Sequence, residues 1–110
     1  MTIRQLISRL SLDVLAEGAS YDAPLRGCYI GDLLSRVISR SVQGGLWITI
    51  MNNLNVAAVA VLADIPCVLL AEGVEAPDEL REKCAEEGVF LLGSGRSAYE
   101  LAAAFAQSQS

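Results

Sequence analysis

Three short segments hold the residue types that do chemistry. The first is Gly93-Ser-Gly-Arg-Ser97, with two glycines, two hydroxyls and a guanidinium just ahead of a helical pattern. A helix N-terminus offers free amides and the positive end of a dipole, which suits an anion. Ser94, Arg96 and Ser97 are its contacts on that reading. The other reading is a plain turn with Ser97 as N-cap. The segment is not a Walker A loop, since no Gly-Lys-Ser/Thr follows, nor a G-x-G-x-x-G fingerprint. The second segment is Asn52-Asn53-Leu54-Asn55. Amide side chains pair a donor with an acceptor and can read a base edge or a sugar hydroxyl. Alternatively, one asparagine caps the following helix and the others tolerate left-handed turn geometry. The third is Asp32 with Ser35, which either reach the same edge of the fold or serve as N-cap and first-turn residue. Thr49, inside the strand before the asparagines, points either to that edge or to a helix.

Other chemistries are poorly served. Glu72 and Glu75 lack a third oxygen partner for a metal, and no cofactor is expected. Cys28, Cys67 and Cys84 form no C-x-x-C pair, and each sits in an apolar stretch. Buried free thiols in a reducing cytosol fit this pattern. The chain has no histidine, so a nucleophilic cysteine lacks its usual base.

The elements that position these groups alternate along the chain. Thr2 and Gln5 form a capping box, after which Ile3, Leu6, Ile7 and Leu10 share one helical face. A short strand over 12–16 is closed by Gly18. Residues 19–27 are a polar turn region containing Pro24, and Cys28–Ile30 is a second short apolar piece. A helix starts at Gly31-Asp32, with Asp32 as N-cap and Leu33, Leu34, Val37 and Ile38 as its stripe, and ends at Gly44-Gly45. Strand Leu46–Met51 leads through the asparagines into an apolar helix, Val56–Ala63. Asp64-Ile65-Pro66 breaks it, and strand Cys67–Ala71 follows. An acidic helix then has Pro77 in its first turn, a Glu79–Lys83 pair and a stop at Gly88. Strand Val89–Leu92 precedes the last helix, opened by a second capping box, Ser97 with Glu100. Ala98, Leu101, Ala102 and Phe105 form its inward face, and 107–110 fray.

Strands 46–51, 67–71 and 89–92 are continuous apolar runs. Such strands are buried on both faces, the mark of a parallel sheet covered by helices. The expected fold is therefore α/β, three layers, with a mostly parallel sheet of about five short strands and helices on both faces, as one domain over 1–110. Right-handed crossovers place the strand-to-helix loops 52–55, 72–76 and 93–97 at one edge, where open α/β sheets bind ligands. Arg96 is the only basic residue in those three loops.

Composition sets outer bounds. The chain has 110 residues, 53% hydrophobic and 19% charged, with a net charge of −5. That balance argues against nucleic acid as a partner. The longest fully apolar run, 56–63, is too short to span a bilayer, Arg4 and Arg9 interrupt the only early apolar stretch, and a cytoplasmic location is expected. A helix apolar all round must be covered all round, and in a short chain a second copy can supply part of the cover, so an isologous homodimer is expected.

Gly31-Asp-Leu-Leu-Ser-Arg-Val37, Leu46-Trp-Ile-Thr49 and Asn55-Val-Ala-Ala-Val-Ala-Val-Leu62 resemble the DRTGG domain family. The resemblance extends to Tyr21–Tyr29 and to the final Leu-Leu…Ser-Ala-Tyr-Glu-Leu segment, and is greatest to small stand-alone members. It implies a fold similar to the N-terminal domain of HPr kinase. Arg26 and Cys28 stand where that pattern has threonine and glycine. Met51 and Asn53 stand where it has glutamine and histidine, while Asn55 matches. The phosphate loop of that kinase lies in its other domain and has no counterpart here, so kinase activity is not expected. The expectation is a non-catalytic regulatory or sensing module. It binds a small anionic ligand through Asn52, Asn53, Asn55, Ser94, Arg96, Ser97 and Asp32, or docks on a partner redox or metabolic enzyme.

Overall fold

The structure, a computed structural model, describes residues 1–109. Helix α1 (Ile3–Leu10) opens on the expected capping box, Thr2 accepting from the Gln5 amide and Gln5 Oε1 from the Thr2 amide. Strand β1 (Asp13–Ala16) and strand β2 (Cys28–Ile30) follow. Then come α2 (Leu34–Arg40), β3 (Leu46–Thr49), α3 (Asn55–Leu62) and β4 (Cys67–Leu70). The chain ends with α4 (Asp78–Glu87), β5 (Phe90–Gly93) and α5 (Ala98–Ser108). The expected fraying of 107–110 does not begin at 107, since α5 runs through Ser108; Ser110 lies outside the described residues.

The five strands form one sheet in the order β1-β5-β4-β3-β2. β2, β3, β4 and β5 are mutually parallel, with Leu46 opposite Cys67 and Cys67 opposite Phe90. β1 is antiparallel to β5 and slips register between Val14 and Ala16. Such an irregularity twists an edge strand and discourages pairing with another chain.

Alternate side chains of the buried strands feed two separate cores. Trp47, Val68, Leu70 and Leu91 pack with Val37 of α2, Val56 and Ala60 of α3, and Leu80 and Cys84 of α4. Leu46, Ile48, Cys67, Leu69, Phe90 and Leu92 pack with Ile3 and Leu6 of α1 and Leu101 and Phe105 of α5. The period of two along each strand thus puts α2, α3 and α4 on one face and α1 and α5 on the other. Every residue of β3 and β4 is buried, as their continuous apolar runs require. Among the described residues no helix is long and apolar enough to cross a membrane.

Three local expectations are corrected. Helix α2 begins at Leu34, not at Gly31-Asp32, and the residue at its N-cap, Leu33, makes no side-chain cap. Asp32 is drawn instead to the end of β3. Lys83 pairs with Glu87 at 3.3 Å and Glu86 at 3.8 Å rather than with Glu79. Two carboxylates on its C-terminal side outcompete one on the other. Pro77 is the N-cap of α4 rather than a first-turn residue. Helix α3 is covered on one side only. Val56, Ala57, Val59 and Ala60 are buried, whereas Val61 and Leu62 are 47% and 70% exposed.

Candidate functional site

The loops that leave the carboxyl ends of β2, β3, β4 and β5 are bonded to one another in series. Between the first two, Trp47 Nε1 donates to the Gly31 carbonyl at 2.9 Å, and Thr49 Oγ1 donates to Asp32 Oδ1 at 2.7 Å. The same carboxylate oxygen accepts from the Ile50 amide at 3.0 Å, and Thr49 Oγ1 accepts from the Met51 amide at 3.1 Å. Thr49 is the one buried polar residue among those described. It lies on the helix α2–α4 face, beyond Trp47, and its hydroxyl is satisfied as donor and acceptor, as burial demands.

Asn52 lies between the second and third loops. Its Nδ2 donates to the Glu75 carbonyl at 2.9 Å. Between the third and fourth loops the bonds are backbone only: the Glu72 amide to the Arg96 carbonyl at 2.8 Å, and the Gly73 amide to the Ser94 carbonyl at 2.9 Å. To make them, Glu72 and Gly73 both adopt left-handed backbone, at φ 61° and 70°. Such a conformation is costless for glycine and unfavourable for glutamate.

The remaining sequence candidates sort by whether their polar atoms are engaged. Asn53 Oδ1 accepts from the Asn55 amide at 2.9 Å and turns the chain into α3. Ser94 Oγ accepts from the Arg96 amide at 3.2 Å. Ser97 Oγ accepts from the Glu100 amide and donates to Glu100 Oε1, closing the second capping box. Glu100 is held below the usual carboxylate range chiefly by the Ser97 backbone amide, then by the Ser97 hydroxyl. The Asn55 side-chain amide and the Arg96 guanidinium are exposed, and among the described residues neither makes a side-chain hydrogen bond or ion pair. The loops are thus brought together as the topology requires, with most of their side chains spent on shaping the loops and capping the helices that follow. The Asn52–Glu75, Trp47–Gly31 and Glu72–Arg96 links carry no sequence signal, because each joins residues from separate elements far apart in the chain.

One position in this row differs from the others. β4 is followed by α4 on one face of the sheet, and β5 by α5 on the opposite face. Adjacent parallel strands whose loops diverge in this way define the switch point at which α/β sheets bind ligands. Glu72, Gly73, Ser94 and Arg96 surround it. The field there is mixed, since Arg96 stands beside Glu72 and Glu100.

Three concavities lie elsewhere. One, of about 270 Å³, is lined by Ala60, Asp64, Pro66 and Gly88 at the opposite edge of the sheet. Another, of about 320 Å³, lies beside it between Arg26, Gln43, Gly44 and Asp64. A third, of about 380 Å³, is the groove between α3 and α4, lined by Ala58, Val61, Leu62, Lys83 and Glu87. None is lined by the candidate residues. The described His, Cys, Asp and Glu residues form no group of three able to hold a metal. All three cysteines are free thiols. Burial pushes Cys28 and Cys84 up to about 11 and Cys67 higher still. An unactivated, largely protonated thiol is a poor nucleophile.

These features define an α/β module with its loops gathered at one edge. The same fold occurs within a solved structure. The chain is similar to the crystal structure of the CBS and DRTGG domains of the regulatory region of Clostridium perfringens pyrophosphatase, complexed with its activator, diadenosine tetraphosphate. The TM-score is 0.79 at 10% sequence identity, over 97% of this chain and 46% of that one. The present chain thus spans less than half of that structure, and the likeness is one of fold. It agrees with the resemblance to the DRTGG domain read from the sequence. No protein-family model and no curated protein sequence matches the chain.

Proposed function

We propose that this chain is a non-catalytic regulatory module of the cytoplasm that senses a small anion at the carboxyl edge of its sheet. The observation that supports this reading is the switch point between β4 and β5. There the exposed Arg96 guanidinium, in no ion pair among the described residues though its charge acts on Glu100, stands beside the N-terminus of α5, and Ser94 and Ser97 flank it. Asn52, Asn53 and Asp32 hold the neighbouring loops in place, and Asn55 presents a free amide at the start of α3. The fold's occurrence in a regulatory region that is complexed with a nucleotide activator supports an anionic ligand of that general kind.

Thermal shift of the purified chain against inorganic phosphate, ATP and diadenosine tetraphosphate tests this. A ligand at one hundred times its Kd stabilises by about 2.7 kcal/mol. The expected result is a rise in Tm with at least one of them, abolished by Arg96→Ala. No rise with any of the three, or a rise that Arg96→Ala leaves intact, would sink the reading.

A second reading is docking on a partner enzyme. It is favoured by the exposed apolar side chains Leu33, Ile50 and Leu54 on the same edge, each more than 40% exposed. Such a group marks an interaction surface more often than a ligand cleft. On either reading the module acts as a homodimer, for which the half-covered α3 is the supporting observation.

A further inference from the structure

We propose that a second copy of this chain seats on the α2–α3–α4 face, about a two-fold axis running along α3, so that α2 of each copy lies over α4 of the other. This rests on the homodimer reading above and adds the surface, the axis and the charge pairing that choose it.

The seam is an apolar stripe on α3. Leu54, in helical conformation at its N-cap, is followed by Ala58 and Val61, with Leu62 beside them. Leu54 is 44% exposed, Val61 47% and Leu62 70%. The spacing of four and then three residues is that of the seam between two packed helices. Ala58, small and central, lets two backbones approach closely. The groove of about 380 Å³ between Ala58, Val61, Leu62 and α4 gives the partner's side chains a place to enter.

The flanking helices carry opposite charge. α2 and α4 pack on opposite sides of α3 in the same layer. Helix α2 bears Arg36 and Arg40 and no acid. Both arginines are exposed, and neither forms an ion pair among the described residues. Helix α4 bears Asp78, Glu79, Glu82, Glu86 and Glu87. Its two cations are already engaged, Arg81 by the Ala76 carbonyl and Lys83 by Glu86 and Glu87. Among the described residues Asp78, Glu79 and Glu82 form no ion pair.

Symmetry converts that asymmetry into a choice of geometry. An isologous pair repeats every contact twice. A two-fold axis along α3 exchanges left and right and brings the arginines of α2 over the carboxylates of α4. An axis across α3 would lay α2 over α2 and α4 over α4, setting like charges together, which costs several kcal/mol. The arrangement we propose is the one that pairs the two sets of unpartnered charges while burying the α3 stripe.

Sedimentation velocity and oxidative crosslinking of the full chain test this. Ala58→Cys is expected to crosslink to its own copy across the axis, whereas the wild-type chain and Val14→Cys on the sheet edge do not. Leu62→Glu is expected to give a monomer. Arg36→Glu with Arg40→Glu weakens the dimer by about tenfold or more, and adding Glu79→Arg with Glu82→Arg in the same chain restores it. A dimer that survives Leu62→Glu and fails to crosslink at Ala58 overturns this face while leaving the homodimer reading intact. Crosslinking at Ala58 with no effect of the arginine reversals overturns the axis. A wild-type chain that stays monomeric overturns both readings, and if it binds a basic amphipathic helical peptide, the groove belongs to a foreign helix.

Discussion

The Thr49 hydroxyl donates to Asp32 Oδ1 at 2.7 Å, from the last residue of β3 to the loop that follows β2. This bond satisfies a buried hydroxyl and fixes the edge strand β2 to its neighbour just beyond their shared ladder. Asp32 is exposed, so loss of the hydroxyl costs its two bonds, to Asp32 and from the Met51 amide, together about 1–3 kcal/mol at about 0.5–1.5 kcal/mol each. Thr49→Val, which keeps the shape, is therefore expected to lower stability by that amount in urea unfolding followed by Trp47 fluorescence. Hydrogen exchange at the Ile50 and Met51 amides should accelerate beyond the global change, because each amide donates to a member of this pair.

The α5 capping box gives a prediction with a pH sign. Ser97→Ala removes an N-cap and is expected to cost about 1 kcal/mol. Glu100 has a lowered folded pKa, so its contribution is present above the unfolded carboxylate pKa and is lost as pH falls through the folded value. The Tm gap between wild type and Glu100→Gln should be open at neutral pH and close as the solution is acidified below the ordinary carboxylate range. A gap that widens in acid would contradict this sign.

Gly18 closes β1 at a point where the chain touches β5. A Cβ there would stand 2.5 Å from Phe90 Cδ2, 2.6 Å from the Phe90 nitrogen and 2.9 Å from the Gly88 carbonyl. Two of those atoms are backbone and cannot yield without moving the strand. Gly18→Ala is expected to cost about 2 kcal/mol or more by overpacking, measured as a fall in the urea midpoint. The contrasting control is Gly73→Ala, where nothing lies within 4 Å. Its cost comes only from the left-handed backbone, about 1 kcal/mol.

Thiol reactivity checks the two cores. With Cys28 and Cys84 up at about 11 and Cys67 raised further, Ellman's reagent at pH 8 should react slowly with the folded chain and quickly with all three thiols in denaturant. A fast native phase would mean that one of the cores opens.

The sheet was legible because its strands are short uninterrupted apolar runs. Only burial on both faces explains Leu46–Thr49 and Cys67–Leu70, and that burial requires covering helices. Both capping boxes were legible because their partners lie three residues apart. What escaped depended on partners distant in sequence. Asp32 reads as an N-cap from its neighbours, but Thr49 and the Ile50 amide, both reached only after β3 has paired with β2, claim its carboxylate. Asn52, Asn53 and Asn55 look equivalent in sequence. The position of Glu75 makes the first a bridge, and the turn into α3 makes the second a cap. Only the third stays free. The antiparallel setting of β1 carries no local signal, since its partner β5 lies at the other end of the chain.

That setting governs how the molecule can be made. The first strand of this sheet waits beside an empty place until the fifth arrives, and Arg9 of α1 likewise bonds the Ser108 carbonyl at 2.9 Å. Each of these segments is thus completed by one far along the chain, so β1 has no strand to pair with until β5 is in place, and α1 lacks its bond to α5. Closure of this sheet is dominated by long-range pairing, which slows folding and leaves the half-made apolar strands exposed meanwhile.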